Sequence, residues 1–327
     1  MSSPPPPHAT GAADAAVAAP RGGAWRRLRA ILPWLLGLAI LVWLFRRVPV
    51  DAVVAALAGG PWLGLTAYVA AELAVLLVVD AWATEVTLRA CGGSPPFRQV
   101  LAMRGATYLL NLVHFAAGQG VFGWYLAKSG RGGWSAGGAL LLLFVTQGLA
   151  LVVVLAFGLL LAPAWLASRG LPLAGLALAG IAGYLVVVAT APRWAGRVPL
   201  LRPLLAAGLP GHLMGVAARL PHMVLLVLLN WGVYRVWGMP VPLRFGLAVW
   251  PLLMLVSALP ITPAGLGTVQ ALQMSLFASW APGGDLATRQ AAVLALTVAQ
   301  YALALLLQAA IGAWCLRTLR FDQLRTS

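Results

Sequence analysis

Leu259-Pro260-Ile261-Thr262-Pro263-Ala264-Gly265-Leu266-Gly267 interrupts an apolar stretch that otherwise runs from 243 to 280. Proline removes a backbone donor and clashes with the preceding turn, and glycine costs about 1 kcal/mol in a helix, so a helix cannot run through this segment. A second apolar stretch, 103–128, is interrupted at Gly118-Gln119-Gly120. Broken backbone at membrane depth is tolerated only where it is buried in protein or lines a cavity. Each stretch therefore reads as a pair of helices that enters and returns on the same side.

Outward from these breaks, six stretches are apolar enough and close enough to the roughly 20 residues that a membrane-spanning helix needs. They are 31–48, 61–83, 136–161, 171–190, 212–234 and 287–314. The bulk composition agrees. Of 327 residues, 61% are hydrophobic and 9% charged, whereas a soluble domain carries about a quarter charged residues. A soluble enzyme, a disordered chain and a small secreted scaffold are excluded on that balance. The expected fold is an all-α polytopic integral membrane helix bundle with about six full spans and two broken, re-entrant helix pairs. Residues 1–24 read as a disordered Pro/Ala-rich tail, 25–316 as the transmembrane domain and 317–327 as a short basic tail. The first apolar run ends in Phe45-Arg46-Arg47 rather than small residues, so it is expected to be an uncleaved span and not a signal peptide.

The chain carries 22 basic against 7 acidic residues. On a soluble domain such an excess would suggest nucleic acid. Here the cations fall mostly between apolar runs, as the positive-inside rule requires, and no nucleic-acid partner is expected. With the N-terminus cytoplasmic, fifteen of the 22 lie on the cytoplasmic side, Arg104 counted among them. Arg46, Arg47, Arg169, Arg235, Arg244 and Arg289 lie outside, and Arg219 falls within a span. This predicts a multi-pass protein of the cell inner (plasma) membrane with both termini cytoplasmic. The first broken element would then open from the cytoplasm and the second from the opposite side, the arrangement by which inverted-repeat transporters build a midplane site. Cys91 and Cys315 read as free thiols. The sequence has no cluster with metal-ligand spacing, no phosphate loop, no dinucleotide fingerprint and no nucleophile elbow. No catalytic residue, metal or cofactor is assigned.

Glu72 lies near the middle of span 61–83. An ionised carboxylate there is expensive, so it reads either as a proton-coupling or headgroup-contact site or as the partner of an intramembrane cation such as Arg219 or Arg104. Asp80, eight residues on, is about 80° around the helix and reads, with Glu85, as a hydrated helix end. Arg219-Leu220-Pro221-His222 interrupts span 212–234. Pro221 is expected to kink it. Arg219 reads as an anionic-headgroup contact or as an interfacial helix end. His114 reads chiefly as a core residue. Trp25, Trp43, Trp62, Trp82, Trp124, Trp165, Trp194, Trp237, Trp280 and Trp314 sit at or near predicted span ends, as interfacial anchors do.

The second break, extended through Thr268-Val269-Gln270-Ala271, resembles the signature of the lysylphosphatidylglycerol synthase transmembrane-region family, also described as flippase-like. That family typically reads L-P-x-[ST]-P-G-G-L-G-x-x-E-A there. Asn111 followed by Gly118-Gln119 is similar to its N…P-G…G-E stretch, and the order of spans agrees from about residue 25 onward. This chain departs at Ala264 and at Gln270, where the family carries Gly and Glu. Gln119 stands where the first motif has its acid, and Gln147 and Gln300 are the nearest candidates for two family arginines. Paired replacement of buried charges by amides keeps donors and acceptors while removing the desolvation cost, and such amides are expected to tie the two breaks together.

The resemblance implies a flippase-like protein that binds or translocates a lipid or lipid-linked headgroup of anionic character. Its implied partners are membrane lipids, an anionic phospholipid or a lipid-linked sugar. The implied substrate-binding set is Asn111, Gly118, Gln119, Gly120, Pro260, Thr262, Pro263, Gly265, Gly267 and Gln270, joined by Glu72 and Arg219. No soluble aminoacyl-transferase domain follows the last span, so aminoacyl transfer by these residues alone is not expected. The alternatives are a membrane-embedded enzyme and a non-catalytic partner of a separate glycosyl- or aminoacyl-transferase.

Overall fold

The computed structural model describes residues 23–111, 115–191, 195–258 and 267–319. Pro260, Thr262, Pro263, Gly265 and His114, with both terminal tails, lie outside them. Every regular element among the described residues is a helix. In chain order these are α1 (Gly23–Arg47), α2 (Val50–Ala58), α3 (Trp62–Ala90), α4 (Phe97–Asn111), α5 (Phe115–Leu126), α6 (Gly133–Leu160) and α7 (Ala164–Thr190). There follow α8 (Arg202–Val236), α9 (Leu243–Ala258), α10 (Thr268–Phe277) and α11 (Leu286–Thr318).

Five helices among the described residues are long and apolar enough to cross a membrane: α3, α6, α7, α8 with the turn before it, and α11. The 25-residue α1 adds a further long apolar helix. Lipid explains the surface. In α7 the large side chains Leu173, Leu176 and Val186 are exposed, a placement that water would penalise at about 25 cal/mol per Å². The fold is an all-α polytopic membrane bundle.

Both interrupted stretches fold back on themselves. In the first, Arg104 of α4 meets Gln119 and Phe122 of α5, and Thr107 lies against Gly118. Each pair straddles the segment between Asn111 and Phe115 symmetrically, which only antiparallel arms allow. In the second, the Phe245 ring of α9 lies 5.7 Å from Phe277 and 4.5 Å from Trp280, and Trp250 stacks on Phe277 at 6.0 Å. These pairs straddle 259–266 in the same way.

The sequence reading misplaced the first break. Gly118 and Gly120 are helical positions within α5, so the break does not fall there. A glycine inside a helix is tolerated when a neighbour needs the space. A methyl group at Gly118 would overlap the Asn111 amide and crowd the Thr107 carbonyl, so the glycine is what lets the arms close. In α8 the backbone leaves helical geometry at Gly208 (φ 59°), not at Pro221.

α3 joins two cores. Leu65, Val69 and Leu73 pack with Val233, Tyr234, Phe245, Phe277 and Ala291–Leu296. Ala81 and Leu88, toward its other end, pack with Val100, Met103, Phe122, Leu142 and Cys315. The open end of the second hairpin lies at the N-terminal end of α3, where the Trp237 ring is 6.1 Å from Trp62. The open end of the first lies at the C-terminal end of α3, where the Arg131 guanidinium donates to the carbonyls of Leu88 and Cys91 at 3.1 and 3.2 Å. The two hairpins therefore enter from opposite faces of the bundle. On the face of the second hairpin, Asp285 caps α11 by accepting from the Thr288 backbone N–H at 2.7 Å, and that bond holds its carboxyl below the usual range.

Single-cysteine variants test this arrangement. With Cys91 and Cys315 changed to Ser, Lys128→Cys and Gly284→Cys are expected to react with an impermeant maleimide from opposite sides of a sealed vesicle. Labelling of both from one side would refute opposed hairpins.

Candidate functional site

The site is a buried charge cluster where α3, the first hairpin and α8 meet. Asp80 projects from α3, about 15 Å before its C-terminal end at 1.5 Å per residue, within a helix long and apolar enough to cross a membrane. Arg104 of α4 reaches it twice, Nε to Oδ2 at 2.8 Å and Nη2 to Oδ1 at 3.0 Å. Arg219 of α8 donates Nη1 to the same Oδ1 and Nη2 to the Thr84 hydroxyl at 2.8 Å. Arg104 also donates Nη1 to Gln119 Oε1 at 3.3 Å and lies over the Phe122 ring at 4.7 Å, a face that attracts cations. Arg219 has 0% of its surface exposed. His222, one turn further on α8, is also buried.

The charge arithmetic decides the chemistry. Two guanidiniums share one carboxylate, and among the described residues no second acid enters the cluster. Gln119 occupies the position from which the hairpin addresses Arg104, and it brings an amide oxygen without charge. The cluster therefore holds one cation in excess at a depth where an unpaired ion is costly. Arg219 Nε and His222 Nδ1 are buried polar atoms without a partner among the described residues. An anion would supply both the missing charge and acceptors for such donors, and a phosphate offers arginine planar, two-pronged recognition.

Four sequence expectations are corrected here. Asp80 is not a hydrated helix end: its side chain is 15% exposed and it bridges two arginines. Arg219 is no interfacial helix end, and Arg104, counted above on the cytoplasmic side, sits buried within the bundle. Neither arginine pairs with Glu72, because Asp80 takes both. Glu72 is buried about 12 Å along α3 from Asp80 at 1.5 Å per residue, with no ion pair or hydrogen bond recorded for it among the described residues. Glu85 pairs with Arg89 at 2.6 Å.

The amides do not join the two breaks among the described residues. Gln119 bonds Arg104, within its own hairpin. Gln270 accepts from the Gly267 backbone N–H at 2.7 Å and so closes the N-terminus of its own helix. Gly267 has φ 83°, a region that costs a residue with a Cβ, and a Cβ there would also crowd the Gly37 carbonyl of α1. Gln300 donates to Asn230 at 3.3 Å. Asn111, at the end of α4, presents a buried amide oxygen with no partner among the described residues. Sequence reasoning brought Gln119 and Arg219 to the site and named Arg104 as a pairing cation, but it paired the arginines with Glu72 and missed Asp80 and Thr84. The available signal was charge bookkeeping: a lone acid and two lone cations in apolar segments must find each other or stay unpaired.

The architecture defines a polytopic helical membrane protein with two opposed re-entrant hairpins and a buried charged site on one of them. The pattern of the family described as lysylphosphatidylglycerol synthase TM region matches residues 30–312, and the chain belongs to that family. No curated protein matches the sequence.

Removing one member of a buried charge cluster costs more than the cluster contributes, because the remaining charge stays buried. Asp80→Asn is expected to destabilise the detergent-solubilised protein by about 3–5 kcal/mol, the cost of breaking a buried pair. Arg104→Met is expected to cost less, since Asp80 keeps Arg219. Denaturant unfolding followed by circular dichroism measures both. Stability of Asp80→Asn equal to wild type would refute the shared carboxylate.

Proposed function

We propose that this membrane protein binds the anionic headgroup of a lipid and passes it between leaflets, with Arg219 and Arg104 as the headgroup contacts. The observation that carries the reading is the uncompensated cation of the Arg104–Asp80–Arg219 cluster, buried inside the bundle. A permanent buried cation destabilises an empty site and is offset when an anion arrives. The opposed hairpins support it. One opens at each face, so small movements of the first hairpin against α3 and α8 can open its site, with the second hairpin giving access from the other face. Family membership, which ties the fold to lysylphosphatidylglycerol synthases by name, supports a lipid over a soluble solute.

In this reading Asp80 holds the two guanidiniums apart and oriented, and the headgroup competes for them without displacing it. Gln119 keeps the cluster positive. Arginine bias places the face of the first hairpin, with Lys128 and Arg131, on the cytoplasmic side of the cell inner (plasma) membrane. Both chain ends then belong to that side. A separately encoded transferase that modifies the lipid is a partner consistent with this role.

Leaflet exchange of fluorescent phosphatidylglycerol in proteoliposomes tests the proposal, with dithionite quenching as the readout. Wild type should exceed empty liposomes. Gln119→Glu, which neutralises the cluster without removing a ligand, should lower exchange at least tenfold, and Arg219→Gln should do the same. Phosphatidylcholine exchange should respond less. Unchanged phosphatidylglycerol exchange in Gln119→Glu would overturn the role of the excess charge.

A further inference from the structure

A second site lies at the opposite face, at the mouth of the second hairpin. A cavity of about 340 Å³ opens there between the α6–α7 turn and the hairpin base. Its walls are Trp165, Phe245 and Trp280, and its polar groups are Arg244, Ser275 and Ser279. We infer that this cavity binds the phosphate of an anionic phospholipid at the membrane surface, independently of the buried cluster and of any transport.

Four features converge on an anion. Arg244 is exposed and has no carboxylate partner among the described residues, and no acid lines the cavity. Arg244 opens α9, a 16-residue helix. The first turn of a helix carries N–H groups without intrahelical acceptors and the positive end of the helix dipole. Pro242 precedes that turn, and its carbonyl accepts from Phe245 and Gly246, which holds the first turn at the cavity. Ser275 and Ser279 are exposed one turn apart on the opposing arm; the Ser275 hydroxyl donates to the Leu272 carbonyl at 2.9 Å, which leaves Ser279 as the hydroxyl placed to donate to a phosphate oxygen.

The remaining features select a lipid over a soluble phosphate. Trp165 and Trp280 are residues of the interfacial belt, where an indole sits at headgroup level. The Phe245 ring lies against Trp280 at 4.5 Å and behind it against Phe277 at 5.7 Å. That aromatic wall is stiff, since Phe245 and Phe277 are buried in the core. It suits the glycerol and upper acyl chain, while Arg244 and the helix N-terminus take the phosphate. A cavity of this size, apolar on its walls with a few placed polar groups, has the anatomy of a small-molecule site.

Photoreactive phosphatidylglycerol in nanodiscs containing the full chain provides the test, with adducts mapped by peptide mass spectrometry. Adducts should concentrate on 163–165, 242–245 and 275–280. Arg244→Glu should reduce them at least fivefold while adducts elsewhere persist. Ser279→Trp, which fills the cavity without altering charge, should do likewise. Adducts spread evenly along the chain, or unaffected by both substitutions, would overturn the site. Full competition by millimolar glycerol 3-phosphate would show a soluble phosphate ligand and overturn the lipid assignment. Adducts at this cavity do not depend on leaflet exchange, so loss of exchange in Gln119→Glu with adducts intact would separate the two proposals.

Discussion

Asp80 is the constraint on which this arrangement turns. One carboxylate receives a guanidinium from the first hairpin and another from α8, so a single side chain ties three elements inside the bundle. In water such contacts would contribute little, about 0–1 kcal/mol for an exposed pair. In a low-dielectric interior they are strongly coupled, because each charge has no other partner of comparable strength. The first hairpin has few alternatives: Arg104 cannot withdraw without leaving its own charge unpaired, while Asp80 keeps Arg219. The cluster therefore sets how deep α4 and α5 enter, and the small residue at Gly118 lets the two arms close around it.

The two hairpins are anchored by different physics. The first is held through charge and hydrogen bonds to α3 and α8. The second is held by aromatic packing, with Tyr234, Trp250, Phe277, Phe245 and Trp280 forming one continuous stack. Inverted architecture does not require equivalent chemistry in its halves. A polar, charge-rich hairpin suits a site where an anion must be received, and an apolar one suits a scaffold whose mouth meets the lipid surface. Charge sits deep on one side and shallow on the other, at Arg219 and at Arg244.

Much of the fold was legible in the chain. Apolar runs of span length predicted α3, α6, α7, α8 and α11, because a helix must satisfy its own backbone wherever water is absent. The Pro-Gly density before Thr268 marked the second hairpin. The turn of the first hairpin was misplaced because Gly118 and Gly120 punctuate a sequence in the same way whether they break a helix or admit a neighbour. In α8 the departure from helical geometry falls at Gly208, since a glycine reaches positive φ at little cost.

The sequence by itself determined that the chain lives in a membrane and that it is helical throughout its spans. Those properties follow from composition and period, which are local and additive along the chain. Only the tertiary structure decided which charges meet. Asp80, Arg104 and Arg219 are separated by 24 and 139 residues from Asp80 outward, and nothing in their local sequence distinguishes a paired ion from a solvated helix end. Their partnership comes from the packing of α3 against α8 and the return of the first hairpin. The surplus positive charge at their centre is therefore a property of the assembled bundle.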